Sequence, residues 1–350
     1  MDPQAPPSSE PDAGRLRVGF LGPFGTFTEQ ALLTQPDLAA AELVPYATMA
    51  DVLRATETAE VDLGFVAIEN SIEGTVNVTS DTLAFDVDVW IQREVVIPIQ
   101  QHLMSVPGAT LAGVAEVVSI PHATAQARAF LHRELPSVRT RAANSTAEAA
   151  ELVAQLGDPK VAAIGNELAA GIYGLEVIAA DIEDHPENQT RFVAVGRREV
   201  PPPTGHDKTS IVVAQRADRP GSLVAILQEF AARRINLTRL ESRPTKKGLG
   251  DYCFIVYADG HIDDELVASV GLEHNPVRVP FMPDPRVVER REAHLIGLAR
   301  VVVRLDLGDL APPSGNDPQE VSVVRSTHTG VDRLHEEDDA SRRRHRELDE

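Results

Sequence analysis

Arg17-Val18-Gly19-Phe20-Leu21-Gly22-Pro23-Phe24-Gly25-Thr26-Phe27-Thr28-Glu29 is the most telling run of the chain. Arg17–Leu21 is a short β-branched and aromatic run that stops at Gly22-Pro23 and Gly25. Thr26 with Glu29 fits a capping box, in which each side chain satisfies a backbone N–H at a helix start. The order is therefore strand, glycine turn, helix. Spacing rules out two phosphate-binding signatures: Gly19, Gly22 and Gly25 do not follow GxGxxG, and no GK[ST] follows them. A tight strand-to-helix turn and an anion-binding helix start both remain open readings.

The same rhythm continues outward. Residues 49–59 read as helix and 63–68 as strand. Residues 94–104 read as extended, with Pro98 at an edge or bend. Residues 114–120 read as strand, followed by a helix after Pro121. Ser145 and Glu148 form a second capping box for a helix through Leu156. A strand over 161–164, a short helix over 167–173 and a strand over 191–195 complete the series. Strands alternating with helices predict α/β layers with mostly parallel sheets, whose ligands bind at strand carboxyl ends beside helix N-termini.

A different pattern begins after Pro201-Pro202-Pro203-Thr204-Gly205, a stiff then flexible linker. Residues 209–215 read as strand. Leu223, Ile226, Leu227 and Phe230 stand at i, i+3, i+4 and i+7, one apolar stripe of a helix opened by Pro220-Gly221-Ser222. Strands over 235–242 and 252–258, a short helix over 263–270 and a last strand over 277–282 give a ferredoxin-like α+β sandwich. Past about residue 282 periodicity is lost, apart from strand-like alternation over 298–307. Residues 283–350 are expected to be a disordered, solvated tail.

The charge narrows the function. The chain carries 33 Lys+Arg against 53 Asp+Glu over 350 residues. A net −20 argues against nucleic-acid binding and against anionic membranes. Residues 15–205 hold 12 basic and 25 acidic side chains, whereas 206–281 hold 10 of each. A single cysteine, Cys253, excludes an intrachain disulfide framework. Residues 1–14 lack a basic start and an apolar core, which suggests a disordered leader rather than a signal peptide. The expected location is cytoplasmic. The acids Asp181, Glu183, Asp184 and Glu187 read as a solvated loop in preference to a metal site.

Polar density concentrates at three strand ends: Glu69-Asn70-Ser71-Ile72-Glu73-Gly74-Thr75, Asn188-Gln189-Thr190-Arg191-Phe192, and Asn236-Leu237 with Glu241-Ser242-Arg243-Pro244. Together with Gly22–Thr28, and with Ser119, Pro121-His122-Ala123 and Gln126, these residues resemble the prephenate dehydratase family from about Arg17 to Gly271. Thr190-Arg191-Phe192 matches the family's signature triplet. The second domain resembles the ACT regulatory module, through Gly221-Ser222-Leu223-Val224 and Glu241-Ser242-Arg243-Pro244.

The resemblance implies a catalytic part like the two-lobed periplasmic binding proteins. Residues 15–200 would form it, with lobe one at 17–92 plus 183–198 and lobe two at 93–182. An ACT domain would follow over 208–282. The implied reaction converts prephenate to phenylpyruvate in phenylalanine synthesis, and the resemblance implies no cofactor. Thr190 is assigned to the leaving hydroxyl. Arg191 is assigned to a substrate carboxylate or to joining the lobes, and Phe192 to the ring or to anchoring its strand. Asn70, Ser71, Thr75, Ser119 and Gln126 are expected as neutral donors to substrate oxygens. L-phenylalanine is implied as effector, held by residues 221–224, Asn236, Leu237 and 241–244 between ACT domains of a homodimer or homotetramer. The competing readings are an arogenate dehydratase and a non-catalytic amino-acid sensor.

Overall fold

The computed structural model describes residues 15–197, 202–215, 220–246, 252–267 and 299–305. The chain opens as expected, with β1 (Arg17–Leu21) and α1 (Phe27–Leu33). Thr26 Oγ1 accepts the Glu29 N–H at 3.2 Å, while the Glu29 carboxylate reaches back to the Gly25 N–H. Next come α2 (Pro36–Ala39), β2 (Glu42–Tyr46), α3 (Met49–Glu57), β3 (Leu63–Asn70), β4 (Gly74–Thr75), α4 (Asn77–Asp81) and β5 (Trp90–Pro98).

The chain then crosses into a second lobe. It comprises β6 (His102–Ser105), β7 (Glu116–Ser119), α5 (Pro121–Gln126), α6 (Arg128–Glu134), β8 (Arg139–Ala142), α7 (Thr146–Leu156), β9 (Val161–Gly165), α8 (Glu167–Tyr173) and β10 (Glu176–Ala179). β11 (Gln189–Gly196) brings the chain back.

The sheet orders are β2-β1-β3-β11-β5, with β4 beside β3, in lobe one and β10-β6-β9-β7-β8 in lobe two. Each sheet is mixed, which corrects the expectation of mostly parallel sheets. β1 runs parallel to β2 and β3, but β11 is antiparallel to both β3 and β5. The double crossing is the cause. β5 leaves lobe one, and β11 must return between β3 and β5 pointing the other way. The expected lobe boundary near residue 93 also shifts. Trp90–Pro98 pairs with β11 along its length, so the outward crossing lies at Ile99–Gln101. The Ile99 N–H donates to Asn188 O at 2.8 Å, tying the two crossings together.

β11 is apolar without a break over Phe192–Val195 because both of its faces are covered there. Phe192 and Ala194 join Val18, Phe20, Leu32 and Phe65 on one side. Val193 and Val195 join Val52, Leu53 and Val66 on the other. Lobe two has its own pair of cores, one on each face of its sheet, around Val117, Ala162 and Ile164, and around Val118, Ala163 and Val153.

The second domain contains β12 (Lys208–Gln215), α9 (Ser222–Ala232), β13 (Leu237–Pro244), β14 (Tyr252–Asp259) and β15 (Ala299–Leu305), in sheet order β13-β14-β12-β15. The fourth position corrects the expectation of an unstructured tail: Val301-Val302-Val303 lies in β15, parallel to β12. A β-branched run set beside an otherwise open strand edge has backbone partners to gain. The strand expected over 277–282 lies outside the described residues.

Ile211, Val213, Val256 and Ala258 pack under Ile226 and Phe230 of α9. The opposite face, with Val212, Cys253, Ile255 and Tyr257, shares a core with Val66, Ile68, Leu83 and Ile91 of lobe one. The Cys253 side chain is fully buried there, and burial pushes its thiol pKa up to about 11.

Candidate active site

β3 and β11 end side by side, with Asn70 opposite Thr190 and Glu69 opposite Arg191. One residue further in, the register shifts and Phe192 faces Ala67, leaving Ile68 as the bulge residue of β3. Such a bulge re-aims the side chains beyond it.

Asn70 is the pivot of a polar network at these strand ends. Its Oδ1 accepts the N–H groups of Ile72 and Glu73, both at 3.0 Å. That assigns the amide orientation, because two donors require an oxygen. Asn70 Nδ2 then donates to Thr190 Oγ1 at 2.8 Å and to Asn188 Oδ1 at 2.9 Å. The Thr190 oxygen is thus an acceptor of this bond, and its own O–H remains available to donate.

The network continues into lobe two. Ser71 Oγ donates to Asn188 Oδ1 at 3.2 Å and accepts the Gln189 N–H at 2.9 Å. Asn188 Nδ2 donates to Gln126 Oε1 at 3.2 Å, and Gln126 Nε2 reaches Glu73 Oε1 at 3.4 Å. His122 Nδ1 stands 3.2 Å from Glu73 Oε2. Thr190, Asn188 and Gln126 are buried, and the network they form spans both lobes. A second bridge lies at the opening turn, where Tyr173 Oη donates to Phe24 O at 2.9 Å. Gly25 has φ +90, and a Cβ there would meet Ala169 Cα at 3.1 Å, so the residue suits both the turn and the close approach of α8.

Four expected residues stand apart from this network. Arg191 is committed within lobe one, to Glu94 at 3.0 Å and Glu69 at 3.3 Å. It ties β11 to β5 and β3 rather than lobe to lobe. Phe192 is fully buried and stacks on Phe65 with centroids 5.7 Å apart, which makes it the strand anchor. Ser119 Oγ donates to Ile164 O at 2.9 Å, across neighbouring strands. Thr75 Oγ1 accepts from Arg239 of the second domain. Two of the four loop acids act as backbone acceptors: Asp184 takes the Ala129 N–H and Glu183 that of Gln101. Among the described residues no group of three or more His, Cys, Asp or Glu side chains is placed to hold a metal.

Three members of the network, Asn188, Glu73 and His122, stand outside the expected set. Asn188 heads the segment that ends in the signature triplet, and its adjacency to Thr190 was the available signal. Asn166 follows β9 and is almost fully buried. Its Oδ1 accepts the Ala169 N–H at 2.9 Å, while its Nδ2 has no hydrogen-bond partner among the described residues. Nothing in the sequence marks that amide out.

The expected effector residues divide into two groups. Glu241 pairs with Arg239, and Arg243 pairs with Asp81 and Asn77, so both side chains face lobe one. Asn236 Nδ2 donates to Asp259 at 2.7 Å. Gly221 caps α9 in a left-handed conformation, while Ser222 is buried and Leu223 and Leu237 are half-buried. Val224, Ser242 and Pro244 are exposed.

Comparison with known proteins agrees with this layout. The prephenate dehydratase family profile matches residues 18–200, and the ACT domain profile matches 209–270. The chain is 42% identical over 253 residues to a bifunctional chorismate mutase/prephenate dehydratase of Aquifex aeolicus, covering 72% of this chain and 68% of that one. It is 42% identical over 266 residues to a prephenate dehydratase of Mycolicibacterium vanbaalenii, covering 72% and 84%. Among solved structures, a prephenate dehydratase from Arthrobacter aurescens in complex with L-Phe is 40% identical, with a TM-score of 0.69 over 73% of this chain and 84% of that one. With more than half of its length matched by one profile and with relatives at this identity, the chain belongs to the prephenate dehydratase family, its catalytic part followed by an ACT domain.

Proposed function

We propose that the protein is a carbon–oxygen lyase that converts prephenate to phenylpyruvate. The observation that carries this reading is the Asn70–Thr190 hydrogen bond, which leaves the Thr190 O–H free to donate. In the reaction the ring carboxylate leaves as CO2. Its C–C bonding pair enters the ring, the ring C–O bond breaks, and the departing hydroxyl takes up a proton to become water. Charge develops on that oxygen as the bond stretches. A donor held ready at that point lowers the barrier because no reorientation is needed during reaction. Asn70 accepts and donates as one unit, so it sets the direction in which Thr190 donates. Gln126 and Ser71 stand within the same network and supply further polar contacts to substrate oxygens.

L-phenylalanine is the proposed effector, acting through the ACT domain of a homodimer or homotetramer. The L-Phe complex of the Arthrobacter protein supports this reading. Its apolar and backbone contacts would come from the α9 start, with Gly221 to Val224.

The test is an assay for phenylpyruvate with prephenate as substrate, and with arogenate in competition. Thr190→Ala is expected to keep its fold and its substrate affinity but to lose about 10²–10³-fold in kcat. Near-normal turnover in that variant would overturn the role of Thr190. Wild-type protein that forms no product from either substrate would favour the sensor reading instead.

A further inference from the structure

Two arginines of the ACT strand β13 reach lobe one: Arg243, on Asp81 and Asn77, and Arg239, a residue outside the matched motifs. Arg239 Nη1 lies 3.2 Å from Glu69 Oε2, as a charge contact rather than an aligned hydrogen bond. Its Nη2 donates to Thr75 Oγ1 and stands against Glu241 Oε1 as a second charge contact, and its guanidinium lies over the Tyr257 ring, 5.1 Å from the centroid. The same Glu69 oxygen is 3.3 Å from Arg191 Nε, and Arg191 continues to Glu94 at 3.0 Å. Lys208 of β12 stands 4.0 Å from the other Glu94 oxygen. Six charges therefore run in alternation: Glu241, Arg239, Glu69, Arg191, Glu94, Lys208. Three belong to the ACT domain and three to the catalytic part, and the set is neutral.

We propose that Arg239 is a positioning residue for the dehydratase reaction. Glu69 precedes Asn70, and Arg191 follows Thr190. Both flank the bulge at Ile68, where the β3–β11 ladder changes register and backbone pairing alone holds the strand ends least well. The Glu69–Arg191 pair supplies the missing restraint, and Arg239 holds its carboxylate from the other side. Removing the guanidinium leaves Glu69 and Glu241 without it, so Glu69 turns to Arg191 alone and the two strand ends are released to move. A shift of about 1 Å at a catalytic group is enough to cost on the order of 10²-fold. Arg239 shares its strand with Glu241, Ser242 and Arg243, so displacement of β13 changes the same restraint. That last step rests on the proposal that phenylalanine binds the ACT domain.

Full-length wild type, Arg239→Met and Arg239→Lys are compared without effector for kcat, prephenate KM and Tm. Arg239→Met is expected to lower kcat by about 3- to 30-fold, the range seen for residues that couple sites. Its KM should stay within about twofold and its Tm within a few degrees of wild type. Arg239→Lys should recover part of the lost kcat, since it keeps the charge and loses the fork. A wild-type kcat in Arg239→Met, or a Lys variant no better than Met, would overturn the proposal. If Arg239→Met does not fold, Arg239→Lys and Lys208→Met carry the test, with a smaller kcat loss at unchanged KM expected and none contradicting it. Calorimetry with L-phenylalanine separates the two readings. Wild type that binds no phenylalanine removes the effector role and leaves the kcat comparison intact. Arg239→Met that binds phenylalanine should show a weaker kcat response to it than wild type.

Discussion

At the scale of single residues, direction matters more than identity. The sequence brought Asn70, Ser71, Gln126 and Thr190 into one candidate set, and hydrogen bonds link Asn70, Ser71 and Gln126 through Asn188, and Thr190 through Asn70. The roles of Arg191 and Phe192 were not legible, because neither composition nor spacing says which way a strand residue points across a bulge. Phe192 is a clear case, since its ring belongs to the Phe65 stack. Phe192→Leu is accordingly expected to lower stability by roughly 1–2 kcal/mol, the loss of a stacked ring partly refilled. Its prephenate KM should stay within about twofold of wild type. Denaturant unfolding beside steady-state kinetics checks this, and a KM rising tenfold with unchanged stability would place the ring on the substrate instead.

At the scale of elements, long segments with caps were readable and exposed edge strands were not. The Thr26/Glu29 and Ser145/Glu148 boxes stand where the sequence put them. β8, Arg-Thr-Arg-Ala over 139–142, is exposed at every position, and β2 carries Pro45 on a sheet edge, so neither shows the period of a half-buried strand. The first capping box carries a pH consequence. Burial is the main influence on Glu29 and raises its carboxyl pKa, against the lowering effect of the Gly25 N–H bond. The folded state therefore holds this proton more tightly than the unfolded chain does. The group's favourable contribution is complete below the unfolded carboxyl pKa and disappears as pH rises through the folded one. Gln at this position keeps an acceptor for Gly25 and has no charge to desolvate. Glu29→Gln is expected to melt at or up to about 3 °C above wild type at pH 7.5. The gap should close as pH falls toward 4, where Glu29 itself is protonated. Scanning calorimetry across that range checks the sign, and a variant that melts lower at pH 7.5 would contradict it.

At the scale of the whole molecule, the two-domain order was legible because each domain has its own rhythm of strands and helices. Which face of the second sheet meets lobe one was not, since Val212, Ile255 and Tyr257 read as ordinary strand interior until the neighbouring core is seen. The same seam contains Cys253, the chain's single cysteine. With its thiol pKa near 11, only about one molecule in a thousand carries the thiolate at pH 8, and no face of the side chain meets solvent. Modification by a neutral disulfide reagent must then wait for the ACT sheet to lift from lobe one or for the sheet itself to open. The protein thus carries its own stopwatch for domain separation. In native buffer its labelling should run at least about 10³-fold slower than a free thiol, and in denaturant at the free-thiol rate. Any ligand that clamps the two parts should slow the clock further, and any that parts them should speed it, without a dye or a tag.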